Sequence, residues 1–188
     1  MALDLTGAVL LPIDLQQGFE NAVWPPRWNS AMDLNAQALL AAWRAAGRNV
    51  VHIRHDSVEA QSTLRPGQPG NAFRSGLEPA TGEAIVSKSV NSAFIGTDLD
   101  LRLRRLGATS IVVFGLSTDM CVSTTVRTGA NMGWPMILVH DACDCFELRD
   151  LSGAMISARA VHDAHVATLA FEFCTVVTTV DVLAALAI

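Results

Sequence analysis

Short apolar runs, mostly β-branched, recur along the chain, separated by longer stretches in which apolar and polar positions interleave at helical spacing. Ala8–Leu15, Asn49–Arg54, Ala84–Ser87, Ser110–Gly115, Pro135–His140 and Thr175–Thr178 read as six strands. Unbroken apolar runs, as opposed to strict alternation, suit strands covered on both faces, as in a parallel sheet. Ser30–Ala46, Thr97–Leu106, a stretch from Cys121 through about Asn131, Asp150–Ala170 and Thr179–Ala187 read as helices. Ser30 is the expected N-cap of the first and Gly47 marks its end; Thr97 caps the second, with Asp98 and Asp100 in its first turn. From His55 to Gly82 the chain carries Pro66, Pro69, Pro79 and several glycines, so it reads as an irregular excursion. A loop that long in a compact domain points to function. The alternation of strands and helices predicts one doubly wound α/β domain over residues 1–188, without linker or repeat.

Composition sets limits on this picture. The 188 residues suffice for a substantial core, and 51% hydrophobic against 16% charged residues exclude intrinsic disorder. A net charge of −5 argues against a nucleic-acid or anionic-membrane surface. Arg102, Arg104 and Arg105, the densest basic group, suit the solvated face of a helix. The N-terminus has no signal-peptide pattern, and the run from Ala8 to Ile13 is too short to span a bilayer, so a cytoplasmic protein is expected. Cys121, Cys143, Cys145 and Cys174 are then expected as free thiols, and C-x-C spacing at 143 and 145 is a poor metal pair. The low charge also suggests apolar surface covered by another subunit, hence a homo-oligomer, dimer or tetramer.

Topology locates the candidate chemistry. Ligands of open parallel sheets sit beyond the carboxyl ends of the strands, near the switch in strand order. Asp14, Lys88 and Cys121 fall at or just after the ends of the first, third and fourth expected strands, so three distant positions converge on one edge. Cys121 opens a helix, where the dipole should lower its pKa and free N–H groups can hold an oxyanion. A carboxylate and an ammonium at strand ends are costly unless paired or employed. An acid, a cation and a thiol make a coherent nucleophilic set: the carboxylate takes the thiol proton, the ammonium stabilises the anions, and the thiolate attacks. A buried structural thiol beside a structural ion pair is the alternative.

Ile13-Asp-Leu-Gln-Gln-Gly-Phe19, the stretch Lys88-Ser-Val-Asn-Ser-Ala-Phe-Ile-Gly-Thr-Asp-Leu99, Gly115-Leu-Ser-Thr-Asp-Met-Cys-Val-Ser-Thr-Thr-Val-Arg127 and Val139-His-Asp-Ala142 resemble the isochorismatase-like cysteine hydrolase superfamily over essentially the whole length. The resemblance implies a three-layer α-β-α sandwich around a six-stranded, mostly parallel, Rossmann-like sheet. It implies a catalytic triad of Asp14, Lys88 and Cys121. It also implies a non-proline cis peptide at Leu116–Ser117 that aims the N–H groups of Ser117 and Cys121 at an oxyanion. True isochorismatases, which cleave a vinyl ether, lack the nucleophilic cysteine, so its presence favours hydrolysis of an amide-type C–N bond through a thioester. Nicotinamidases of this family hold a metal with an Asp-x-His element that His52-Ile-Arg-His-Asp-Ser57 does not reproduce, so neither metal nor other cofactor is expected.

Other candidates are weaker. Phe19, Trp24 and Trp28 follow the first strand, and the first two are taken as substrate-binding residues. Taken with them are His55, beside Asp56 at the pocket rim, and Asn91 and Phe94 after Lys88. His162 and His165 share a helix face, read as a polar surface or a subunit contact. The expected function is a cysteine-dependent amidohydrolase acting on a small molecule. An ester or lactam hydrolase with the same triad, and a catalytically silent binding protein of the same fold, stay open. A nucleotide-binding reading fails because no Gly-x-Gly-x-x-Gly follows the first strand.

Overall fold

The structure, a computed structural model, describes residues 3–187. Its strands are β1 (Ala8–Ile13), β2 (Val51–His55), β3 (Ala84–Lys88), β4 (Ser110–Leu116), β5 (Met136–Asp144), β6 (Leu148–Arg149), β7 (Met155–Ile156) and β8 (Thr175–Val177). Its helices are α1 (Met32–Ala45), α2 (Leu99–Arg105), α3 (Ser123–Asn131), α4 (Ala158–Glu172) and α5 (Thr179–Leu186). Six strands form one sheet in the order β3-β2-β1-β4-β5-β8, with every pairing parallel. Chain direction across the sheet reverses between β1 and β4. Right-handed crossovers running in opposite directions place α1 on one face and α3 on the other. Accordingly α1 packs with α5, and α3 with α4. The three-layer α/β/α arrangement is therefore as the sequence implied.

β1 and β4, at the centre, are buried at every position, which is why their sequences run apolar without alternation. β1 nevertheless carries Pro12, unusual in a central strand. The amides of Leu10 and Asp14 donate to Asn49 O and Ile53 O on the β2 side, and Pro12, midway between them, has no N–H to give. The β1–β2 pairing is accordingly thin, confined to Ile13 opposite Ile53 and a bridge from Leu10 to Val50, whereas β1 pairs with β4 from Ala8 to Ile13. Gly115, next to the end of β4, has φ +132°, and a Cβ there would lie 2.1 Å from Ile13 O. Only glycine lets β4 approach β1 so closely beside the site.

Several boundaries differ from expectation for local reasons. α1 starts at Met32 with Ala31 at its N-cap, and Ser30 caps nothing; Asn29 orders the entry instead, accepting from Ala31 N at 3.1 Å. α2 starts at Leu99 with Asp98 at the N-cap position, though Thr97 Oγ1 still accepts from Leu99 N at 3.3 Å. The expected helix from Asp150 is not there. Asp150 Oδ1 accepts from Ser152 N, Ser152 Oγ and Ala154 N, and Gly153 takes φ +87°, so the segment turns as the β6–β7 hairpin. α4 begins only after Ser157, whose Oγ accepts from Ala160 N at 3.2 Å. β5 runs on to Asp144, four residues beyond the expected end.

Candidate active site

Each site side chain is delivered by a strand end or the turn after it. Asp14 is the residue after β1 and adopts φ +52°, a left-handed conformation that aspartate tolerates better than most residues. Lys88 and His55 close β3 and β2 and lie opposite each other in the ladder, so their side chains share one face of the sheet. After β4 the Leu116–Ser117 peptide is cis, and Thr118–Val122 forms one wide π-type turn that carries Cys121 to the start of α3.

The four side chains meet at one atom. Lys88 Nζ lies 2.6 Å from Asp14 Oδ2, 3.0 Å from His55 Nδ1 and 3.3 Å from Cys121 Sγ. Asp14 and Lys88 are fully buried at their side chains, and Cys121 is 6% exposed. Neither Asp14 oxygen has a partner in good hydrogen-bond geometry among the described residues, and Oδ2 is held by its ion pair with Lys88. Burial raises the Asp14 carboxyl above its ordinary pKa, opposed by the charge of Lys88. Burial also raises the Cys121 thiol, reinforced by the Asp14 charge and opposed by Lys88. Burial thus opposes the lowering expected from a helix N-terminus, and Lys88 is the neighbouring group that favours the thiolate. The oxygen, nitrogen and sulfur of Asp14, His55 and Cys121 all lie within 4.8 Å of one another, a set that could in principle hold a cation. The Lys88 ammonium contacts all three of these atoms.

An isochorismatase domain matches residues 8–181. The chain belongs to the isochorismatase family. A solved isochorismatase-family structure from Chromobacterium violaceum ATCC 12472 is 43% identical, superposes with a TM-score of 0.95, and is covered over 97% of its chain by 100% of this one. The isochorismatase-family protein YrdC of Bacillus subtilis (strain 168) is 36% identical over 90% of this chain and 91% of its own. Maleamate amidohydrolase of Pseudomonas putida KT2440 is 29% identical over 70% of each chain. This isochorismatase-family hydrolase has no helix long and apolar enough to cross a membrane among the described residues.

The other candidates distribute unevenly around this isochorismatase-family site. Asn91 is close, with its Oδ1 3.8 Å from Cys121 Sγ. His55, expected at the rim, contacts Lys88 itself. Phe94 is buried against Gly129 of α3 and belongs to the core. Phe19 and Trp24 form an aromatic cluster with Phe146, with ring centroids 4.9–6.0 Å apart. The Trp24 indole N–H donates to Gly18 O at 2.9 Å, so these rings first of all hold the loop after β1. His162 is not a surface residue: it is 1% exposed, its Nδ1 2.9 Å from Thr118 Oγ1 and its ring tilted against Trp28 with centroids 4.8 Å apart. His165, by contrast, lies near the surface of α4 and is half-buried.

Sequence reasoning missed the residues that brace the site. Gln16, fully buried, accepts from His55 N at 2.8 Å and donates to His55 O and Asn71 O at 3.0 Å each. Asn71, within the excursion, reaches His55 O, Asp56 Oδ1 and Leu64 O. Gln16 stands inside the first motif and Asn71 inside a Pro-Gly-rich stretch, but only their tertiary partners reveal the role. All four thiols are free, as expected. A broad open groove of about 1140 Å³ lies elsewhere, lined by Trp134, Phe171, Phe173 and Cys174. Burial alone raises the Cys174 thiol to about 11, and no ionisable partner assists it, so chemistry and not volume marks the site.

Proposed function

We propose that this isochorismatase-family hydrolase cleaves an amide-type C–N bond of a small molecule through a thioester on Cys121. The observation that carries the reading is Lys88 Nζ held between Asp14 Oδ2 and Cys121 Sγ. The Cys121 thiol and the buried Asp14 carboxylate stand on the same ammonium, an arrangement suited to proton transfer to Asp14 as the sulfur attacks the carbonyl carbon. The carbonyl oxygen takes up negative charge, which the N–H groups of Ser117 and Cys121 would receive. Collapse of the tetrahedral adduct breaks the C–N bond, and the proton held by Asp14 goes to the leaving nitrogen. Water then attacks the thioester, giving one proton to Asp14; the carboxylic acid leaves and Cys121 recovers its proton from Asp14. Lys88 Nζ, in contact with both Asp14 and Cys121, offsets the anion wherever it resides.

Maleamate amidohydrolase among the relatives supports the amide class. The same steps would serve an ester, which releases an alcohol, or a lactam, whose amine stays on the ring-opened acid, so release of ammonia singles out the primary-amide reading. The test is an ammonia-release screen over a panel of small carboxamides and ureido compounds. Cys121→Ala should reduce turnover at least ~10⁴-fold with the melting temperature nearly unchanged. Retained activity in Cys121→Ala would sink the mechanism.

A further inference from the structure

Lys88 has three N–H bonds, and three acceptors stand around it: Asp14 Oδ2 at 2.6 Å, Cys121 Sγ at 3.3 Å and His55 Nδ1 at 3.0 Å. We propose that His55 is a positioning residue which, through a neutral imidazole fixed in one tautomer, holds the Lys88 ammonium against the Cys121 sulfur. The inference rests on the reading of Cys121 as nucleophile, yet it makes separate predictions.

An ammonium has only donors, so the contact exists only if His55 Nδ1 is bare and accepts. The ring proton then sits on Nε2, which makes no hydrogen bond to the described residues. Burial holds His55 below its ordinary pKa, and the Lys88 charge acts the same way; Asp14 and Asp56 oppose them. His55 is itself tightly held. Gln16 clamps its backbone N–H and carbonyl, and Asn71 takes the same carbonyl at 3.2 Å. A side chain whose main chain is bound at both groups, ending on an exact count of acceptors for one ammonium, is built as a support.

The geometry explains why a third anchor is needed. Lys88 lies on β3, two strands from Asp14 at the end of β1, so its long side chain crosses β2 to reach the site. With adjacent strands about 4.8 Å apart, an unsupported lysine would have many rotamers available over that span. His55, at the end of the strand being crossed, contacts Nζ where the chain arrives. Its removal frees the ammonium to follow Asp14 alone and weakens its hold on the sulfur. The groups facing the imidazole are Lys88 from β3, Asp14 from β1, Cys121 from the turn before α3, and Asp56 next along the chain. Protonating His55 would turn Nδ1 into a donor facing an ammonium and break the contact.

Two measurements test this. The first is ¹⁵N-resolved NMR of the histidine rings in the intact protein, with His55 assigned through His55→Asn. The expected state is a bare Nδ1 and a protonated Nε2, converting to a mixture of tautomers in Lys88→Met. A proton on Nδ1 in the native protein overturns the proposal, whatever the chemistry of Cys121. The second is the pH profile of iodoacetamide alkylation of Cys121, followed by mass spectrometry of its peptide with Cys121→Ala as blank. His55→Leu should shift the half-point up by about one pH unit and slow labelling near neutrality about tenfold. His55→Asn, whose Oδ1 can stand where Nδ1 stood, should restore most of the rate. A His55→Leu profile like the native one, or equal defects in the Leu and Asn variants, overturns the positioning role. A native protein that shows this alkylation pattern but hydrolyses no amide would instead sink the amidohydrolase reading and leave the role of His55 standing.

Discussion

Lys88 and Asp14 depend on each other because neither is solvated. Removing one leaves the other charged and buried, which costs far more than the pair contributes net. Lys88→Met should therefore destabilise the fold by about 3–5 kcal/mol in urea unfolding at neutral pH. Most of that loss should be absent in the double variant Lys88→Met, Asp14→Leu, where no unpaired charge is buried. In Lys88→Met the Asp14 carboxyl should also rise further above its ordinary pKa, because the charge that opposes burial is gone. A carboxyl raised in this way is ionised less often and so takes the thiol proton less often, and hydrolysis should fall even where the variant stays folded.

At the scale of elements, the excursion from residue 55 to 82 is held onto the sheet and the loop after β1 by specific contacts. Gly18 and Gly70 meet backbone to backbone, and a Cβ on Gly70 would lie 2.7 Å from Gly18 Cα. Asn71 supplies the polar link, one amide reaching three carbonyl or carboxylate oxygens. Asn71→Leu should cost about 2 kcal/mol from the buried acceptors it leaves unpaired. Limited proteolysis should then cut within residues 57–70 before the rest of the chain is attacked, while Asn71→Asp should fall between the two. The β6–β7 hairpin teaches the complementary lesson. Apolar spacing from 150 onward fits a helix, but an aspartate that accepts three bonds from the next four residues offers the backbone a competing turn, and the turn wins.

For the whole molecule, a second buried network joins the layers behind the turn that carries Cys121. Asp144 at the end of β5 accepts from the amides of Trp28, Asn29 and Cys145, so the loop after β1 is fastened to the strand beyond β4. Thr118, on the turn that carries Cys121, bonds Asp144 O at 3.1 Å and His162 of α4 at 2.9 Å. Burial, followed by the nearby His140, lowers His162 to about 4. The unfolded chain binds this proton below its ordinary value of 6.5, and the folded chain does so only near 4. Stability from this group is thus complete above pH 6.5 and is lost as pH falls toward 4, by about 2–3 kcal/mol. His162→Gln should flatten that part of the curve of urea midpoint against pH.

Asp14, Lys88 and Cys121 were legible in the chain because each stands where an apolar run stops, and a parallel sheet sends all such stops to one edge. The unbroken apolar strands and the alternation with helices likewise determined the layers, since strands without a polar face must be covered twice. Nothing local distinguished Gln16 and Asn71 from ordinary polar loop residues, or His162 from a surface histidine, because a side chain's partners lie tens of residues away in sequence. The surroundings of Cys121 divide the same way: the helix terminus acts locally and can be read from sequence, whereas desolvation by the surrounding layers, which raises the thiol, cannot. Strand-end chemistry and periodicity are properties of neighbouring residues and are written in the sequence. Burial, charge pairing and the support of Lys88 by His55 depend on how separate strands stand beside one another, and only the folded arrangement decided them.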